Sequence, residues 1–129
     1  MNAPRVLLVE DNAIAIKVSM HMLKQHGFSV DVEKFGSGAL NKVKEEMYSL
    51  ILLDLGLPDM DGYEIASKIR EIPAYANVHI IALTAHSPQD VKIQEACTAA
   101  GIDEVWGKPL SSLSCLMLKN LAADVALAR

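Results

Sequence analysis

The chain has 129 residues, 51% of them hydrophobic, a net charge of −4 and no basic run. That length and apolar content suit one core-forming domain over residues 1–129 and exclude intrinsic disorder. The acidic balance argues against a nucleic-acid surface. No apolar stretch nears the ~18–20 residues that span a bilayer. The opening Met1-Asn2-Ala3-Pro4-Arg5 leads into a run too short for a signal peptide. A soluble, cytosolic protein without direct membrane contact is expected.

Strand-like runs alternate with helix-like segments five times, at about residues 5–9, 28–32, 50–53, 79–83 and 103–107. Runs 6–9, 50–53 and 79–83 are almost continuously apolar, as strands buried on both faces must be. Phe28-Ser29-Val30-Asp31-Val32 alternates, and the fifth run carries Asp103 and Glu104, so these two read as sheet edges. The pattern predicts an α/β protein: a doubly wound, five-stranded parallel sheet of order 2-1-3-4-5, a flavodoxin-like (βα)5 three-layer sandwich.

The first helix is expected from about Ala13 to His26. Lys17, His21 and Lys24 form a polar stripe, and Ile14, Val18 and Met22 an apolar row. Ile16, Met20 and Leu23 extend the apolar arc beyond the ~100° that faces a core. Two accounts fit: a deeply buried helix, or a docking face for a partner helix. The second helix presents Leu40, Val43 and Met47 after a Gly36-Ser37-Gly38 turn. The third starts at Asp61-Gly62 with Ile65, Ile69 and Ile72 inward. For the fourth, Ser87 is the expected N-cap, with Pro88 in the first turn, Asp90 as its capping-box partner and Gly101 as the stop. Cys97 and Cys115, in helical pattern without a metal-ligand spacing, read as buried thiols.

Glu10-Asp11, Asp54, Thr84 and Lys108 each follow a strand-like run. In an open α/β sheet ligands bind beyond the carboxyl ends of the strands, so these scattered residues predict one constellation. Three converging carboxylates repel one another, and a hard divalent cation removes that penalty. Mg²⁺ commonly takes one or two carboxylates plus a phosphate, and Gly56 leaves room for a backbone carbonyl to join. Lys108 and Thr84 supply an ammonium and a hydroxyl for phosphoryl oxygens, since phosphoryl transfer asks mainly for positioning and charge stabilisation. Asp54, ending the middle strand, is the candidate acceptor of an aspartyl-phosphate; Glu10 and Asp11 suit metal ligation better.

Val6-Leu7-Leu8-Val9-Glu10-Asp11-Asn12, Leu53-Asp54-Leu55-Gly56-Leu57-Pro58-Asp59-Met60-Asp61-Gly62, Ala82-Leu83-Thr84-Ala85 and Lys108-Pro109-Leu110 together resemble the motifs of the receiver (response-regulator) domain of two-component signalling. The likeness extends over essentially the whole chain. It implies phosphotransfer to Asp54 from a phosphohistidine, with Mg²⁺ (Mn²⁺ as an alternative) bound by Glu10, Asp11, Asp54 and the Gly56 carbonyl. It also implies a switch region of Thr84, Ala85, Val105, Trp106 and Pro109. The details are most similar to receivers of hybrid sensor histidine kinases. Those relay phosphate to a histidine on a helical phosphotransfer domain, which implies docking on the first helix (Ile14, Lys17, Val18) and the loop after the fifth strand. The isolated domain would assist its own phosphorylation and hydrolysis, with His86 and Gly56 placed to tune attacking water. Nothing after the fifth helix is expected to bind DNA or perform output chemistry. A stand-alone regulator is the alternative context.

Two departures stand out. The family's switch aromatic falls at Val105, and Trp106 beside it should point to the opposite face, so a small conformational change is expected. Ala15 stands where such receivers often carry asparagine. Three rival readings carry less. A flavodoxin-like redox protein conflicts with Glu10-Asp11, which would repel a cofactor phosphate. A pseudo-receiver conflicts with the complete residue set, and a phosphodonor role for His21 or His26 with their place on a polar stripe.

Overall fold

The structure is a computed structural model; it describes residues 3–128, with side chains described through residue 122. Its elements in chain order are β1 (Arg5–Val9), α1 (Ala13–Gln25), β2 (Ser29–Glu33), α2 (Gly36–Glu45), β3 (Leu50–Asp54), α3 (Gly62–Arg70), a 3-10 turn (Pro73–Tyr75), β4 (His79–Thr84), α4 (Val91–Ala100), β5 (Glu104–Gly107) and α5 (Ser112–Ala128). All strand pairs are parallel and the order is β2-β1-β3-β4-β5, as the alternating pattern predicts. The inner strands β1, β3 and β4 are buried almost throughout, while β2 and β5 are half-buried edges. Among the described residues no helix is long and apolar enough to cross a membrane.

Strand period two divides the core. Leu7, Val9, Ile51 and Leu53 face α2, α3 and α4 through Val43, Ile65, Ile69 and Cys97. Val6, Leu8, Leu50 and Leu52 face α1 and α5 through Leu23, Cys115 and Leu118. Burying one such aliphatic side chain contributes roughly 1.5–3 kcal/mol, so the two layers together make the sheet a rigid platform. Both cysteines are free and buried.

Helix ends depart from expectation in two places. α4 is capped by Asp90, whose carboxylate accepts from the Lys92 and Ile93 amides, so Ser87 is not its N-cap. The carboxylate reaches the first-turn amides directly, and Ser87 and Pro88 belong to the preceding loop. α2 begins at Gly36, so the three-residue glycine segment is its first turn. It ends at Glu45, leaving Met47 47% exposed rather than inward. Ala39 and Val43 carry the buried stripe of α2 instead.

α1 runs as expected, and its apolar arc is split by depth. Leu23 is buried and Ile16, Met20 and Met22 are half-buried, whereas Ile14 is 75% and Val18 40% exposed. The N-terminal half of the helix therefore keeps apolar surface in water. Gly101 stops α4 in the left-handed region at φ +86, and a side chain there would meet Arg70 Cγ at 2.8 Å. Arg70 fills that space, donating to the carbonyls of Gly101, Tyr75 and Val78 and pairing with Asp103.

Candidate active site at the carboxyl rim of the sheet

Parallel pairing sends all five strand ends to one rim. Three backbone hydrogen bonds extend the ladder there: Glu10 N to the Glu33 carbonyl, Leu55 N to Leu83 and Lys108 N to Thr84. They fix the chain just as it leaves β1, β3 and β5. Register places Asp54 against Leu83, and Thr84 against Gly107, so the candidate residues stand on neighbouring strands.

Glu10, Asp54 and Thr84 are buried, at 1%, 6% and 4% exposure; Asp11 and Gly56 lie open to solvent. Carboxyl and hydroxyl groups persist at such depth only when partnered. Lys108 Nζ lies 2.6 Å from Glu10 Oε1 and 3.1 Å from Asp54 Oδ1, bridging the two acids. Glu10 Oε2 accepts from the Asp11 and Asn12 amides, and Asp54 Oδ1 also accepts from Gly56 N. Lys108 and the Gly56 amide thus both meet Asp54 at Oδ1 rather than Oδ2. Thr84 Oγ1 accepts from the His86 amide.

Charge and burial compete in this cluster. Burial holds the Glu10 carboxyl above its ordinary value; the Lys108 ammonium opposes that rise and the Asp54 carboxylate adds to it. Burial alone would lower the Lys108 ammonium, but Glu10 and Asp54 outweigh it and hold its pKa above 10.5. The lysine is thus a fixed cation at neutral pH. One ammonium still faces three carboxylates.

That excess can be relieved by a cation. One oxygen from each of Glu10, Asp11 and Asp54 lies within 4.8 Å of the others. Ligands opposite each other on Mg²⁺ stand about 4.2 Å apart, so modest side-chain rotation closes the set. An all-oxygen, anionic donor set suits a hard divalent ion. The residues fit the metal.

Several of the other candidates line two grooves at the acidic rim. On the α1 side, Ile14, Val18, Ala85, Pro109 and Leu110 line a groove of about 440 Å³ whose end is Lys108 and Glu10. Lys17 is exposed on α1 but does not line it. On the other side, a groove of about 420 Å³ holds Thr84, His86, Gly56, Tyr63 and Ile93 beside Asp54. Val105 packs toward α3 and α4, and Trp106 toward α1 and α5, on opposite faces as strand geometry requires. The Lys108-Pro109 bond is cis.

Some contributors escaped sequence reasoning. Asn12 caps α1 by accepting from Ala15 N, and its place just before an apolar-periodic run was a readable signal. Ser19, buried in α1, lines the first groove with no local sign of doing so. Gly62 lets α3 start against the acceptor loop: a Cβ there would sit 2.9 Å from Leu55 Cα and 3.1 Å from the Asp54 carbonyl oxygen.

Comparison with known proteins agrees with this geometry. A family model for the response regulator receiver domain matches residues 6–117. Hybrid signal transduction histidine kinase B of Dictyostelium discoideum is 34% identical over 124 residues, 88% of this chain and 6% of that protein. The aerobic respiration control sensor protein ArcB of Escherichia coli is 39% identical over 110 residues, 84% of this chain and 14% of its own length. The chain therefore spans only a small part of these curated relatives. Among solved structures, the receiver domain of a Pseudomonas aeruginosa sensor histidine kinase has magnesium coordinated in its active-site cleft. It shares 31% identity at TM-score 0.81, covering 96% of this chain and 98% of that one. A CheY-like receiver from Methanospirillum hungatei, 22% identical, matches in fold at TM-score 0.87 over 99% of this chain and 100% of that one. Receiver domains use Mg²⁺ at an acidic site and interact with histidine kinases or phosphotransfer proteins. Strand order, the acidic rim and these matches converge: the chain belongs to the response regulator receiver domain family of two-component signalling, and is homologous to the receivers of hybrid histidine kinases.

Proposed function

We propose that Asp54 accepts a phosphoryl group from a phosphohistidine, in Mg²⁺-dependent fashion, and can pass it to a histidine on a phosphotransfer domain. Residues 1–129 would act as one receiver unit within a hybrid sensor kinase, on the cytoplasmic side. The observation that carries this reading is the Lys108 bridge: one ammonium holds Glu10 and Asp54 at the sheet rim, meeting Asp54 at Oδ1 rather than Oδ2.

The chemistry follows from those atoms. Asp54 Oδ2 attacks phosphorus, the O–P bond forms as the N–P bond to imidazole breaks, and the freed imidazole takes up a proton. Lys108 already lies beside the acceptor carboxylate and donates to the phosphoryl oxygens without reorganising, which is where a preorganised charge is worth most. The Thr84 hydroxyl donates to a phosphoryl oxygen while still accepting from the His86 amide, drawing the segment before α4 with it. Glu10, Asp11, Asp54 and the Gly56 carbonyl would hold Mg²⁺, or Mn²⁺ in its place. Held there, it would supply positive charge to offset the carboxylates and the group being transferred. Glu10 has its oxygens engaged by Lys108 and two amides, so it orients the lysine as well as contributing charge.

The donor protein would dock over α1 and the loop between β5 and α5. Exposed Ile14 and Val18, with Pro109 and Leu110, continue as one apolar groove to Lys108, so a helix seated there presents its histidine at Asp54. Incubating the protein with beryllofluoride, with and without Mg²⁺, tests the acceptor assignment through the fluorescence of its single tryptophan, Trp106. A Mg²⁺-dependent response that vanishes in Asp54→Asn is expected; a full response in that variant would place the acceptor elsewhere.

A further inference from the structure

Four helices in this protein carry their own caps: Asn12 for α1, Asp61 for α3, Asp90 for α4 and Ser111 for α5 each accept amides of the turn they begin. α2 differs. Its N-cap residue, Phe35, makes no side-chain capping bond. The first amides of α2 are taken instead by Asp59, 23 residues away, whose two carboxylate oxygens accept from Gly36 N at 2.8 Å and Ser37 N at 3.2 Å.

Asp59 sits in the middle of the loop that joins Asp54 to α3. That loop is held at its ends. Leu55 N bonds to Leu83, Gly56 N to Asp54 Oδ1, and Gly62 packs against the Leu55 backbone. Between those ends, no backbone hydrogen bond reaches a carbonyl of residues 55–60 among the described residues. Asp59 is the polar anchor of this stretch. Met60 beside it covers Gly36, where a side chain would meet its sulfur at 2.9 Å. The loop is thus pinned to α2 across space, and the Gly56 peptide lies between that pin and Asp54.

We infer that Asp59 is a positioning residue for the cation site: by fastening the acceptor loop to the α2 N-terminus it fixes the Gly56 carbonyl in line with the acidic rim. This deepens the function proposed above and rests on its metal assignment. The physical reason is preorganisation. A loop with unsatisfied carbonyls samples several peptide orientations, and a ligand carbonyl that must be ordered on binding costs affinity. The positive end of the α2 dipole also favours the Asp59 carboxylate, whose pKa lies below the usual value because the Gly36 and Ser37 amides donate to it. A merely structural role would have Asp59 cap α2 and do nothing for the loop.

Local recapping separates the two. Asp59 is exposed, so Asp59→Ala should fold. It is expected to lower Tm by a few degrees and speed amide exchange at residues 55–57 in metal-free protein. Mg²⁺ affinity by calorimetry should weaken about ten-fold, the lower end of what losing an outer-shell partner costs. Adding Phe35→Ser supplies α2 with its own cap. That double variant should regain thermal stability and protection of the α2 amides, while Mg²⁺ binding and exchange of 55–57 stay as in Asp59→Ala. Wild-type Mg²⁺ affinity in Asp59→Ala, or its recovery in the double variant, would overturn the inference and leave the metal assignment standing. Absence of Mg²⁺ binding by the unaltered protein would sink the metal assignment instead. In that case unchanged exchange at 55–57 would dismiss the tether separately.

Discussion

Both rims of the sheet carry acids, a strong base and buried neighbours, yet they teach opposite lessons. At the amino rim Arg5 pairs with Asp31 and Glu46, each at 3.0 Å, and stacks over Tyr48, whose hydroxyl donates to Asp31. Those charged side chains are 36–43% exposed, so water screens them and the cluster is a solvated brace. At the carboxyl rim the Glu10 and Asp54 side chains are 2% and 9% exposed, and only Lys108 stands between them. There an imbalance cannot be screened, and a missing partner costs several kcal/mol. Burial, more than residue type, separates the rims: one holds its charges out of water and the other in it.

Exchanging the acids tests that contrast most sharply. Asp54→Asn should abolish phosphorylation by a small phosphoramidate donor, whereas Asp31→Asn should label at the wild-type rate; equal loss in both would erase the distinction. Removing the carboxyl-rim base comes next. Lys108→Met should slow labelling on the order of 10²-fold, the usual cost of one preorganised donor. Because it leaves Glu10 and Asp54 facing each other, its metal-free Tm should fall and saturating Mg²⁺ should restore more stability than in wild type. Scanning calorimetry with and without the ion reads this directly, and identical Mg²⁺ increments would contradict the charge argument.

Thr84→Ala should have a subtler effect. Labelling should persist, but phosphorylation-induced NMR shifts in α4 should shrink, since the hydroxyl that accepts from the His86 amide, and is proposed to join that segment to the phosphoryl group, is gone. Shifts of full size would show that the coupling runs by another route.

The smallest effect belongs to the amino rim. The Tyr48 hydroxyl, then the Arg5 guanidinium, hold the Asp31 carboxyl below its ordinary 3.8, against the opposing effect of burial. A depressed carboxylate contributes stability above its unfolded value and loses it as pH falls through the folded one. Asp31→Asn should therefore cost no more than about 1 kcal/mol at neutral pH, given the exposure of the pair. The gap from wild type should close as pH drops below 3.8. A gap that widened on acidification would reverse the assigned sign.

Much of this was legible beforehand, for identifiable reasons. Val6–Val9, Leu50–Leu53 and the run ending at Leu83 are apolar on both faces, so their central placement followed from sequence. Asp61 and Gly101 mark helix ends through bonds spanning two or three residues. The α4 cap was misplaced because Ser87 and Asp90 both suit a cap, and only the path of the loop chooses between them. Met47 was misplaced because helical periodicity continued past Glu45, where the chain leaves the helix for β3.

By itself the sequence determined strand order, the residues at the carboxyl rim and the family, because period-two and period-3.6 patterns are short-range and a parallel sheet gathers strand ends at one edge. Only the tertiary structure decided that Lys108 bridges Glu10 and Asp54, that Asp59 reaches across to α2, that Arg70 locks the Gly101 turn, and that Ile14 and Val18 stay in water. Each of those depends on how far one strand or loop is staggered against another, and no local pattern of side chains encodes a distance between segments that meet only through space.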